Sequence, residues 1–145
     1  MIIDKLREDM KTAMKEGDKA RLGTIRMLIN ELKNERINGG RELSDADEER
    51  VLASYAKKRR EMIETYRETG REDLEKKETA EYELTMSYLP EQLGEDELKA
   101  IVEKHIAASG GDRQAFGQVM KAVLAEVGSR ADGKTVSAMV KQLLG

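Results

Sequence analysis

Apolar residues recur along this chain at intervals of three and four, the spacing that lines one face of an α-helix. Ile3, Leu6, Met10, Ala13 and Met14 share such a face, and Gly17-Asp18 interrupts it. Leu22, Ile25, Ile29 and Leu32 form a second stripe that runs to about Ile37. Asn38-Gly39-Gly40 stops it, because glycine accepts the left-handed conformation at a helix end. A third helix opens at "LSDADEERVL", where Ser44 suits an N-cap and Asp47 follows three residues on. It continues through Val51, Leu52, Tyr55, Met62, Ile63 and Tyr66 and is expected to end near Gly70. A fourth runs from about Arg71 to Tyr88. Pro90 closes it, since the residue before proline is pushed out of helical geometry.

Beyond "LPEQLGED" the pattern predicts three shorter helices. The first carries Leu98, Ile101, Val102, His105 and Ile106. The second is capped by Asp112 and carries Phe116, Val119, Met120, Val123 and Val127. The last carries Val136, Met139, Val140 and Leu143. No stretch alternates with the period of two that marks a strand. The expected fold is all-α and multihelical, in two lobes. A four-helix N-terminal lobe with long helices spans residues 1–91, and a small three-helix bundle spans 92–145.

Charged residues make up 38% of the chain and aromatics 3%, which fits helices with broad solvated faces and narrow apolar stripes. The net charge is −3, so a polyanionic partner needs a local basic face. The absence of cysteine excludes disulfides, thiol nucleophiles and zinc–thiolate sites. No apolar run approaches a membrane span, and "MIIDKLREDMKTAM" lacks the apolar core of a signal peptide. A cytoplasmic protein with no membrane partner is expected.

Enzyme signatures are missing. The single histidine, His105, lies on the apolar stripe of its helix and reads as a packing residue. With no thiol and no second histidine, neither a metal site nor a cofactor is expected, and no catalytic residue is assigned. Glu78 and Glu81 share a face of the fourth helix, and Arg59 lies on a face of the third. Two readings are open: a half-buried ion pair that orients those helices, or a solvated face on which such a pair contributes little. The cluster Lys57, Lys58, Arg59, Arg60 with Tyr55 and Tyr66 has an RNA-binding look. Interleaved acids at helical neighbour spacing make it read as a mixed solvated face instead.

The segment "EVGSRADGKTVSAMV" is different. Gly128 can end one helix, and Asp132 can cap the next by accepting from the amides of Lys134 or Thr135. Gly133 completes the turn. That accounts for the glycines and the aspartate but not for Arg130, Lys134 and Lys141. A helix N-terminus with an arginine and a lysine nearby suits a phosphate. Arg113 and Lys121 border the same patch. Residues 94–145 hold seven basic and seven acidic residues, with most of the acids in the first of the three helices.

Three stretches resemble the GatB/YqeY family: "YAKKRREMIETYRETGREDL", "YLPEQLGEDEL" and "FGQVMKAVLAEVGSRADGKTVSAMVKQLL". The resemblance extends over essentially the whole chain and implies a two-lobed helical fold. It also implies that the small C-terminal lobe is similar to the tail of the GatB component of a tRNA-dependent amidotransferase and can lie against tRNA. Arg130, Asp132, Gly133 and Lys134 occupy the matching turn. Ser129 departs from the expected glycine, and Phe116 from the expected methionine. The amide-forming chemistry belongs to a catalytic domain that the resemblance does not cover. The expected function is therefore accessory binding of tRNA or another structured RNA, without catalysis. The alternative is a helical adaptor, with faces around Met27 or Met86, that docks an aminoacyl-tRNA synthetase or amidotransferase. A glutamine-dependent amidase would need Ser129 as nucleophile, and no base accompanies it.

Overall fold

A computed structural model describes residues Met1–Gly145 and contains helices and loops only. The chain divides into two units, Met1–Leu89 and Pro90–Gly145.

The first unit holds α1 (Ile2–Glu16), α2 (Lys19–Gly39), α3 (Asp45–Glu68) and α4 (Glu72–Met86). α1 packs along α2, and α3 along α4, as the short connections require. Each connection between consecutive helices carries a left-handed glycine: Gly17 (φ 70°), Gly40 (φ 65°) and Gly70 (φ 71°). α2 runs through Gly39, one residue beyond the expected stop at Asn38, and Gly40 takes the left-handed position. α4 stops at Met86 rather than Tyr88, because the Tyr88 and Leu89 amides turn to the carbonyls three residues back, Thr85 and Met86, ahead of Pro90.

Leu6, Ala13, Ile25, Leu28, Ile29, Leu32, Leu52, Tyr55 and Leu89 form the core of this unit. Between Tyr55 and Leu89 the α3–α4 hairpin contributes none of them. Its distal half buries Ala56 and Ile63 and is also joined by ion pairs. Arg67 Nε donates to Glu75 Oε1 at 2.9 Å, and Arg59 Nη1 stands 3.4 Å from Glu78 Oε2 and 3.7 Å from Glu81 Oε2. Met86, a candidate for an exposed adaptor face, is instead packed against the core, whereas Met27 is 48% exposed.

α3 begins with a capping box. The Asp47 amide donates to Ser44 Oγ at 3.1 Å, and the Ser44 amide donates to Asp47 Oδ2 at 3.0 Å. The neighbouring Glu48 is 1% exposed and caps a different helix. Its Oε1 accepts from the Ile2 amide and its Oε2 from the Ile3 amide, both at 3.1 Å. α1 has no side-chain cap from its own N-terminal neighbour, so the carboxylate from α3 supplies the acceptors and complements the helix dipole. Tyr88 ties the end of the unit back to α1, its hydroxyl donating to Asp9 Oδ2 at 2.5 Å.

The second unit holds α5 (Glu95–Ala108), α6 (Phe116–Val127) and α7 (Gly133–Leu144). Leu98 and Val102, then Val119, Val123 and Val127, then Val136 and Val140 meet as its core, each helix contributing at intervals of four. Single 3-10 turns, Arg113–Ala115 and Gly128–Arg130, lead into and out of α6. No helix in the chain is long and apolar enough to cross a membrane.

Candidate nucleic-acid interface

The corner between α6 and α7 is built on Gly128. At φ 54° and ψ −129° it lies in a region open essentially to glycine alone. The 3-10 turn that follows is anchored to the segment ahead of α5. The Leu93 amide donates to the Arg130 carbonyl at 2.8 Å, and Gln92 Nε2 donates to the Ser129 carbonyl at 2.9 Å. Those bonds fix the backbone of the turn.

Asp132 occupies the N-cap position of α7, but its side chain makes no capping hydrogen bond to the first turn. This corrects the expected bond from Lys134 or Thr135. The main-chain carbonyl of Asp132 does accept from the Val136 amide at 3.0 Å, closing the first turn of the helix. Gly133 is the first residue of α7 rather than part of the turn.

The five basic residues divide by position. Arg130 is half-buried, and its Nη2 turns back to the Glu126 carbonyl at 3.4 Å, one of the unpaired carbonyls at the end of α6. Lys134 is exposed in the first turn of α7 and lines a shallow groove with Leu93, Glu95 and Leu98. Lys141, two turns on, lies with its Nζ 5.9 Å from the centre of the Phe116 ring, at the start of α6. Phe116 thus gives that lysine a partner through the ring face. Arg113 and Lys121 are exposed, in the 3-10 turn before α6 and on α6 itself. Arg130 and Lys141 thus each have a partner within the unit.

The acids of the same unit are differently disposed. Glu126 Oε1 receives Lys104 Nζ at 2.5 Å and His105 Nε2 at 2.9 Å. The Lys104 hydrogen bond, followed by that of His105, holds the Glu126 carboxyl below its ordinary value. His105 is only partly exposed, as a packing residue should be, and it also bonds to this carboxylate, which its position on an apolar stripe did not reveal. Lys99 lies 3.9 Å from Glu103 within α5. The cations of α5 are therefore matched by carboxylates, while Arg113, Lys121, Arg130, Lys134 and Lys141 form no ion pair.

A second polar cluster lies in the distal α3–α4 hairpin. Arg59 stacks over Tyr55 with its guanidinium carbon 4.9 Å from the ring centre. Burial raises the pKa of Glu78, and the nearby Arg59 only partly offsets it. Glu78 Oε2 and Arg59 Nε are buried without a hydrogen bond.

A profile described as Yqey-like protein matches residues 3–144. The chain belongs to the YqeY-like family. Among curated relatives of this YqeY-like chain is "Altered inheritance of mitochondria protein 41, mitochondrial" of Pyrenophora tritici-repentis. It is 27% identical over 148 residues, covering 100% of this chain and 82% of the relative. The protein of the same name from Lachancea thermotolerans is 32% identical over 85 residues, 58% of this chain and 46% of the relative. An uncharacterized protein of Schizosaccharomyces pombe is 29% identical over 86 residues, 59% of this chain and 70% of the relative.

Proposed function

We propose that this YqeY-like chain is an accessory RNA-binding protein without catalysis of its own, that tRNA is its ligand, and that its C-terminal unit is related to the tail of the amidotransferase component GatB. One observation carries the reading. Within an otherwise acidic chain, the five basic residues from Arg113 to Lys141 have no carboxylate partner, while the basic residues of α5 do. Unpaired cations on short helices suit phosphates, whose neutralisation releases counterions. The one aromatic ring beside them, Phe116, is packed against the core and faces Lys141, so recognition would rest on backbone and shape.

The names of the fungal relatives place those proteins in mitochondria. The mitochondrial matrix and the cytoplasm both hold tRNA, and a cytoplasmic setting is proposed for this chain. An aminoacyl-tRNA synthetase or amidotransferase would supply any chemistry on the bound RNA.

Fluorescence anisotropy with total tRNA at two salt concentrations tests the reading. Binding that weakens steeply with salt, and is abolished in Arg130→Glu/Lys134→Glu with the fold intact, supports it. Binding unchanged in that variant would overturn the assignment of the C-terminal unit. Retention that survives high salt would favour the adaptor reading, which has the exposed Met27 as its supporting feature.

A further inference from the structure

A recess of ≈150 Å³ opens between the start of α1, the end of α2 and the loop entering α3. Ile3, Leu32 and Leu43 form its apolar part, and Arg7, Lys33 and Arg36 complete its wall. Two carboxylates border it. Glu48 is already occupied by the Ile2 and Ile3 amides. Glu42 is 89% exposed at the side chain and stands 3.8 Å from Arg36. Arg7 and Lys33 form no ion pair.

Three cations thus meet at an apolar floor with one loosely held acid among them. Arg36 lies in the last turn of α2, where a positive charge complements the helix dipole. Arg7 has no such reason. It lies in the second turn of α1, exposed, and shares the wall with two like charges. A bound anion would relieve that repulsion, since Glu48 is taken up by the Ile2 and Ile3 amides and Glu42 stands beside Arg36.

We propose that this recess binds one anionic headgroup, a phosphate or carboxylate, carried on an apolar chain. Size limits the ligand. Pockets for whole drug-sized molecules run to about 300–1,000 Å³. This one accommodates a headgroup and a few carbons, not a nucleotide. The rest of the chain would run over Ile37, one turn beyond Lys33 and 69% exposed. The ligand is either a free alkyl or acyl anion or a lipid in a bilayer. Both present the same chemistry.

The probes are hexyl phosphate, inorganic phosphate and hexanol, followed by amide chemical shifts of the full chain. Hexyl phosphate is expected to shift the amides of Ile3, Lys33 and Leu43 and to bind more tightly than either of the other two. Arg7→Gln/Lys33→Gln replaces two exposed side chains and should weaken it at least about tenfold, in line with the loss of charge-assisted contacts. Equal binding of hexyl and inorganic phosphate, or an unchanged affinity in the double variant, would overturn the site. Sedimentation with vesicles of phosphatidylcholine and phosphatidylglycerol separates the sources. Co-sedimentation lost in the double variant assigns a bilayer lipid, and hexyl phosphate binding without it assigns a free amphiphile.

Discussion

Arg59 Nη1 and Glu78 Oε2 stand 3.4 Å apart on facing turns of α3 and α4, yet no hydrogen bond joins them. Their attraction is Coulombic and shared with Glu81 at 3.7 Å. Replacing Arg59 by Met would leave two half-buried carboxylates facing each other. The expected loss is about 2 kcal/mol by urea denaturation, below the 3–5 kcal/mol of a fully buried pair because the site is partly wet. Glu78→Gln behaves differently. A carboxyl with a raised folded-state pKa opposes folding when ionised, and that opposition fades as pH falls through the raised value. The glutamine variant should therefore be slightly more stable than the unmodified chain at neutral pH and should lose the rise toward acid.

Asp47 titrates in the opposite sense. The Arg41 side chain donates from Nη1 at 2.7 Å and from Nη2 at 3.2 Å. These bonds, with the Ser44 amide and hydroxyl, hold the Asp47 carboxyl well below the usual carboxylate range. Its stabilisation is fully present above the unfolded-state value and is lost as pH falls through the depressed folded-state value. Arg41→Gln should move the acid unfolding midpoint to higher pH, as followed by helical circular dichroism.

Glu48 is tested by shortening. Glu48→Ala removes the acceptors of the Ile2 and Ile3 amides and empties a buried volume. A loss of about 2–3 kcal/mol is expected, with a smaller loss in Glu48→Gln, which keeps one acceptor oxygen. Amide exchange at Ile2 and Ile3 should accelerate in both, more in the alanine variant.

Gly128 has open space where a Cβ would stand, so substitution there meets no steric clash. Its backbone conformation is the obstacle. Gly128→Ala should cost about 1–3 kcal/mol through backbone strain alone. Thermal unfolding of the variant measures it.

The cation spread on α6 and α7 predicts graded effects on RNA binding. Lys121→Gln and Lys134→Gln should each lower the dependence of log K on log salt by about one contact's worth, without altering preference among tRNAs. Salt titrations of each variant check this.

Much of the fold is readable in the sequence because it rests on local signals. The spacing of Leu22, Ile25, Ile29 and Leu32 gives a helix face, and Ser44 followed by Asp47 gives a helix start. What is not readable depends on residues distant in sequence. Glu48 looks like one more acid in an acidic first turn, and nothing near it reveals that its partners are Ile2 and Ile3. Lys141 lies on the same helix face as Lys134 by spacing, and nothing in that spacing reveals the Phe116 ring 5.9 Å from its ammonium. Asp132 stands where capping residues stand, and only the side-chain geometry shows that it makes no capping bond. The recess beside Arg7 joins three segments and leaves no linear motif.

The bond between Glu48 and the Ile2 amide spans 46 positions. During synthesis the first helix leaves the ribosome well before its acceptor does. Until α3 emerges, the opening turn of α1 has only water to satisfy its amides, and short isolated helices are marginal in water. Docking of the opening turn of α1 therefore waits on α3 in the vectorial folding of this unit, and a later segment secures an earlier one.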